Sequence, residues 1–298
     1  MSEAARIEVT AETVERMVAS QFPRWAGLPI IPVPASGTDN AMFRLGDELA
    51  VRLPRVDWAV AAVHKEQAWL PKLAPHLPLP IPVPLARGAP GGGYPWPWSV
   101  CRWVPGETVA PGSIPHETGL ARDLGGFLRA LWAVDASGGP PPGPHNFGRG
   151  APLRSRDRRA KADMALVGAM YDPAMLAEVW ETALAAPAWE GPPVWIHGDP
   201  QGGNLLVLDG RLNGVIDFGG LGVGDPACDL IVAWNLFGPE GRAAFRTAIG
   251  VDQATWRRGR GWALSTGLTA LPYYLDRLPA VARWARRTLD EVLADAEL

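Results

Sequence analysis

Lysine is nearly missing from this chain: only Lys65, Lys72 and Lys161 occur among 28 basic residues, so arginine carries almost all of the positive charge. The formal net charge is −3 and no basic block stands out, so a nucleic-acid partner is not expected. Cysteine is limited to Cys101 and Cys228. Two thiols so far apart make neither a disulfide framework nor a metal-ligand spacing, and both are expected to be buried and reduced. Long apolar runs are lacking too. Stretches such as Leu230 to Trp234 are far too short to cross a bilayer, so no membrane partner is expected. Met1 to Glu12 is polar and acidic, without the apolar core of a signal peptide, and the expected location is cytoplasmic. What is present is ample for two domains: 298 residues, 47% of them hydrophobic.

The most informative stretch is His197-Gly198-Asp199-Pro200-Gln201-Gly202-Gly203-Asn204. Pro193 to Ile196 leads in and Leu205 to Leu208 leads out, both apolar, so a loop between two short strands is expected. Gly202 and Gly203 let that loop bend between a carboxylate and a carboxamide. Asp217 follows at the end of a third strand-like run, Leu212 to Ile216. Two carboxylates and an Asn at strand ends suit phosphoryl transfer. One Asp takes the proton of an incoming hydroxyl, while the Asn and the other Asp hold Mg²⁺ on nucleotide phosphates. His197 is expected to orient the loop rather than act as a base. Asp225 and Asp229 fall at an apparent helix start, where acidic side chains suit the positive end of the helix.

These residues, with Ile216-Asp217-Phe218-Gly219-Gly220 and Gly224-Asp225-Pro226-Ala227-Cys228-Asp229-Leu230, resemble the aminoglycoside phosphotransferase family of small-molecule kinases. The resemblance covers most of the chain. It implies an α+β, protein-kinase-like fold of two lobes: a small N-terminal antiparallel sheet lobe, residues 1–104, and a larger, mainly helical C-terminal lobe, residues 105–298. It also implies Asp199 as catalytic base, Asn204 and Asp217 as metal ligands, and ATP or GTP as donor with Mg²⁺.

Upstream, Thr10 to Phe22 has the spacing of a short amphipathic helix, and Ile30 to Val33 reads as an edge strand. Ala41 to Leu45 and the alternating Leu49, Val51 and Leu53 make a hairpin, the latter strand half-buried. Ser36, Gly37 and Thr38 lie in the loop before it, which covers the triphosphate in the family. Kinase-like sites take a cation from the third strand, held by a Glu on the next helix. Here Arg52 stands where Lys is more usual, and Glu66 follows on a helix over about 57–73. Arg keeps the charge but grips phosphate with a different, forked geometry. His76 to Arg87 alternates proline with apolar residues and is barred from a central strand. Tyr94 to Trp103 is the next strand, and by position Arg102 and Val104 would offer backbone groups to adenine.

In the second half, Thr118 to Val134 is an amphipathic helix, and Gly138 to Gly150 is a Pro/Gly-rich flap or linker. Arg154 to Arg159 reads as a solvated helix face. Helices are expected over about 226–237, 240–249, 252–278 and 279–296, with their aromatics chiefly in the core. The acceptor is a small molecule with a hydroxyl group. The resemblance puts an aminoglycoside first, with macrolides, choline, homoserine, thioribose sugars or a pseudokinase role as alternatives. A carboxylate cluster at the acceptor site would favour a cation, and an apolar cleft a macrolide.

Overall fold

The computed structural model describes residues 6–34, 39–114 and 116–295. The chain divides into two units, Met1–Gly106 with Asn213–Gly219, and Glu107–Leu212 with Gly220–Leu298.

In the first unit, helix α1 (Ala11–Gln21) begins at Thr10, whose hydroxyl accepts from the Thr13 N–H at 3.3 Å. Its apolar stripe of Val14, Met17 and Val18 is buried. The strands are β1 (Ile30–Pro32), β2 (Asn40–Leu45) and β3 (Leu49–Pro54); helix α2 (Val60–Leu73) follows, then β4 (Pro84–Gly88) and β5 (Trp98–Arg102). They form an antiparallel sheet in the order β1-β2-β3-β5-β4. Of the three proline-bearing strands, β1 and β4 sit at its edges, as a missing donor favours, and central β3 carries Pro54 only as its last residue. β3, expected to be half-buried, is covered on both faces. Val51 and Leu53 pack with α1, Phe43, Leu45, Trp98 and Val100. Ala50 and Arg52 point the other way and are also buried. Arg52 meets Glu66 of α2 there, so a charged side chain hides on a strand face that sequence alternation marks as exposed. The strand expected over 94–103 is shorter, because Gly91 and Tyr94 bridge each other in a tight turn before it.

The segment Asn213–Gly219 returns to this unit from far along the chain. Val215 donates to the Pro80 carbonyl at 3.2 Å, and the Asn213 amide donates to Pro105 at 2.8 Å. Gly214 allows this approach, since a Cβ there would lie 2.4 Å from Val104 Cγ1.

The second unit opens with β6 (Glu107–Thr108) and helices α3 (Glu117–Ala133), α4 (Asp157–Val167) and α5 (Pro173–Ala185). Strands β7 (Val194–Ile196), β8 (Leu205–Leu208) and β10 (Gly222–Gly224) follow, and β9 (Arg211–Val215) begins here and runs on into the returning segment. The unit ends in α6 (Val232–Asn235), α7 (Pro239–Ile249), α8 (Gln253–Tyr274) and α9 (Pro279–Ala294). β7 pairs antiparallel with β10. β8 pairs with β6 and turns into β9 through Asp209-Gly210, both at positive φ as a two-residue hairpin turn requires.

The expected stripe of α3, Leu120, Leu124, Phe127, Leu128 and Leu131, is buried. α8 is the central helix, packed by α4, α5 and α9, and buries Trp256, Trp262, Leu264 and Leu268. Of the aromatics, Trp234, Trp256 and Trp262 are core, with Trp234 and Trp256 4.9 Å apart, whereas Tyr273 is exposed. The helix expected over 226–237 is instead a 3-10 turn, Pro226–Ile231, followed by short α6. It is pressed against α8, where a Cβ on Gly259 would come 2.6 Å from Leu230 Cβ. α5 begins with Asp172 as cap and Pro173 in the first turn, a start signal present in the sequence.

At Gly125, α3 and α7 approach closely: an added Cβ would lie 2.7 Å from Ala248 Cβ. Gly125→Val should therefore lower stability by about 1–3 kcal/mol, seen as an earlier thermal midpoint. An unchanged midpoint would contradict the close packing described for this helix pair.

Candidate active site

In the first unit the charged groups converge on Arg52. Nη1 donates to both oxygens of Glu66, and Nη2 donates to Asp217 Oδ1 at 2.9 Å. Arg52 and Glu66 are 8% and 3% exposed, so this pairing is a buried one, whereas about half of the Asp217 side chain remains open. Burial opposes the Arg52 charge, but Glu66 and Asp217 more than offset it and hold the guanidinium pKa above its ordinary value. Burial lifts the Glu66 carboxyl above the usual carboxylate range, against the pull of Arg52.

Asp217 adopts φ +60°, the left-handed region that non-glycine residues seldom enter. Asp tolerates it, and strained backbone of this kind collects at functional sites. Lys65, next to Glu66, donates Nζ to the Gly219 carbonyl at 2.8 Å and so ties α2 to the segment that follows Asp217. Burial, reinforced by Arg52, outweighs the attraction of Glu66 and Asp217 and pulls the Lys65 pKa down to about 8. Arg102 ends β5 with its N–H on the Val83 carbonyl at 3.0 Å, and Val104 is buried just beyond. Ser36, Gly37 and Thr38 lie outside the described residues.

In the second unit the loop after β7 presents Asp199. Gly198, at φ +83°, passes so close to the chain that a Cβ would lie 2.3 Å from the Gly220 carbonyl oxygen. His197 is fully buried, and its Nδ1 accepts from the Asp199 N–H at 3.2 Å. This contact gives His197 a place in orienting the loop. Asp229 is the other anchor. It is fully buried and accepts from the N–H groups of His197 (3.0 Å) and Gly198 (2.7 Å) and from the Trp132 indole (3.2 Å). Its burial pushes the carboxyl pKa up, opposed by His197 and these donors. Asp229 thus clamps the Asp199 loop, a role beyond the helix-end acid expected from its position. Asp225 does cap the turn it precedes, accepting from Ala227 N at 3.0 Å, and also pairs with buried Arg258 at 2.9 Å.

The Asp199 carboxylate accepts from Gln201 Nε2 at 2.8 Å and lies 3.7 Å from Arg149 Nη2. Asn204 is buried, and its Nδ2 donates to the Asp199 carbonyl at 2.8 Å. The amide oxygen of Asn204 is then its remaining donor to a metal. An amide oxygen and a carboxylate are hard ligands of the kind Mg²⁺ selects. Among the described residues no group of three or more His, Cys, Asp or Glu gathers to hold a metal. An ion that shares its coordination with waters and nucleotide phosphates needs no such cage. The sequence marks Asp229 only as a helix-end acid and does not mark Lys65 or Arg149 as site residues; the near absence of lysine gives Lys65 some prominence, while the roles of Arg149 and Asp229 depend on burial and distant contacts.

The sequence profile of the phosphotransferase enzyme family matches residues 30–262. No curated protein sequence gives a significant match. Among solved structures, the GDP and kanamycin complex of APH(2'')-IIIa is similar at a TM-score of 0.74 and 20% identity, over 94% of this chain and 98% of that one. The GDP complex of wild-type aminoglycoside 2'-phosphotransferase-IIIa gives 0.70 and 19%, over 96% and 99%. The apoenzyme of macrolide 2'-phosphotransferase MphH from Brachybacterium faecium gives 0.62 and 23%, over 94% and 97%.

The buried ammonium of Lys65 has a stability consequence. Its pKa is depressed on folding, so the unfolded chain binds more protons between about pH 8 and the ordinary lysine value of 10.5. The cost of holding the charge is complete below about 8 and gone above 10.5. Lys65→Met should thus be more stable than the parent by roughly 1–3 kcal/mol at neutral pH, with the advantage fading as the pH rises through that window. Denaturant titrations near neutral pH and above the window check this. A variant less stable at neutral pH would contradict it.

Proposed function

Because the chain belongs to the phosphotransferase enzyme family, we propose that it moves the γ-phosphoryl group of ATP or GTP, with Mg²⁺, to a hydroxyl group of a small molecule. The observation that carries this reading is the held carboxylate of Asp199, on a loop fixed by buried Asp229 and His197. A base so oriented meets the first demand of the reaction, that a proton acceptor stand ready before the substrate arrives.

In the proposed step the acceptor oxygen forms a bond to the γ-phosphorus. The bond from that phosphorus to the β,γ-bridging oxygen breaks, and its electron pair leaves with the nucleoside diphosphate. The acceptor proton passes to Asp199. Asn204 and Asp217 would hold Mg²⁺, which when bound offsets the negative charge of the phosphates. Arg52, kept charged and aimed by Glu66 and Asp217, would stand against the α- and β-phosphates. The backbone at Arg102 and Val104 is assigned the adenine or guanine edge, and the loop with Ser36, Gly37 and Thr38 the triphosphate. Residues 1–104 then serve the nucleotide, and residues 105–298 the acceptor and the chemistry. The family resemblance makes an aminoglycoside such as kanamycin the first acceptor to assay.

Asp199→Ala should lower turnover by on the order of 10²–10⁴ while leaving Mg²⁺-nucleotide affinity nearly intact. Asp217→Ala should weaken that affinity itself. Initial rates over an acceptor panel, with calorimetry of the nucleotide, separate the two effects. Full transferase activity in Asp199→Ala would sink the assignment.

A further inference from the structure

The loop that was expected to be a flap or linker is pinned, and it delivers a cation to Asp199. Asn146 is fully buried; its Oδ1 accepts from Gly143 N at 3.0 Å and its Nδ2 donates to the Arg149 carbonyl at 3.1 Å. The Arg149 side chain is only 13% exposed, and its Nη1 donates to Thr266 Oγ1 at 3.2 Å. Its other nitrogen lies near Asp199, and its guanidinium carbon stands 5.9 Å from the centre of the Trp262 ring. A second guanidinium shares that ring: Arg156 lies 5.0 Å from the same centre, with Nε on Ser265 Oγ at 2.6 Å. The charge run containing Arg156 reads as a solvated helix face in the sequence, yet this arginine is turned inward.

The local charge is unbalanced. Arg149 has Asp199 opposite it, but among the described residues no carboxylate lies within ion-pair distance of Arg156. Asp163, the carboxylate whose field reaches it, is occupied by Arg159 at 2.7 Å and Thr269 at 2.8 Å. Burial, and next to it the neighbouring Arg149, pull the Arg156 pKa down to about 10. Two guanidiniums that repel each other are relieved by an anion, and arginine's fork matches carboxylate and phosphate oxygens.

We infer that Arg149 and Arg156 are specificity-determining residues, and that the acceptor carries an anionic group, a carboxylate or a phosphate, near the hydroxyl that Asp199 receives. This rests on the reading of Asp199 as the phosphoryl-transfer base. It turns the acceptor class away from polycations, which meet two arginines where a cluster of carboxylates would be needed.

The test loads the full chain with Mg²⁺ and a non-hydrolysable ATP analogue, then titrates it calorimetrically with D-gluconate, sn-glycerol 3-phosphate and kanamycin in turn. At least one anion should bind more tightly than kanamycin. Gluconate alone identifies a carboxylate acceptor, and glycerol phosphate alone a phosphate-bearing one. Arg156→Gln should weaken the bound anion tenfold or more, and Arg156→Lys, which keeps the charge, should restore most of the loss. Kanamycin binding more tightly than both anions, no binding of either anion, or equal anion affinity in Arg156→Gln would overturn the inference while leaving the phosphotransferase reading in place. Failure of the chain to load Mg²⁺-nucleotide at the first step would overturn both.

Discussion

One guanidinium, that of Arg52, ties together three stretches far apart in the chain. It rises from the middle of the sheet and donates from one nitrogen to Glu66 of α2 and from the other to Asp217 of a returning segment. Lysine at this place would supply one point of charge, whereas the planar fork of arginine serves two carboxylates at fixed angles. Burying such a network is costly unless every member is paired. Removing one partner from a buried pair typically costs about 3–5 kcal/mol, because the survivor keeps its charge without compensation. The position of Asp217, and with it one of the two assigned metal ligands, therefore depends on Arg52 remaining charged and held. Lys65 reaches the same segment from a second direction, donating to the Gly219 carbonyl.

The Asp199 loop follows a parallel design in the other unit. Buried Asp229 gathers two consecutive backbone N–H groups of the loop, and His197 accepts the next one. A glycine at 198 lets the chain pass against Gly220 where no side chain would fit. The carboxylate that faces solvent is thus held by groups that do not. This division suits a base whose contribution comes from orientation set before substrate binds.

Much of this was legible in the sequence. The motifs that hold Asp199, Asn204 and Asp217 resemble those of a phosphotransferase family, and the family match covers them together with Arg52 and Glu66. The amphipathic stripes of α1 and α3 were readable because each packs one face only. The misses have a common cause. The burial of Arg52 on a covered strand face, the inward turn of Arg156 and the clamp formed by Asp229 all depend on partners 14 to 165 residues away or on a helix laid over a sheet. A charged residue is read locally as exposed, and only long-range pairing reverses that. The short helix α6 was overestimated because contact with α8, not propensity, decides where that segment tightens.

Fold and acceptor part company at this level of similarity. Structures about 20% identical share the chain path, while the charge beside Asp199 belongs to this sequence alone to decide. The central proposal is that Asn204 and Asp217 both serve as ligands of the metal that accompanies the nucleotide. A double-mutant cycle measures this directly, with Mg²⁺-nucleotide affinity determined by calorimetry for Asn204→Ala, Asp217→Ala and the pair. Shared coordination predicts a coupling of at least about 1 kcal/mol, the second loss being smaller once the first ligand is gone. Losses that simply add, or no loss from either change, would contradict the account.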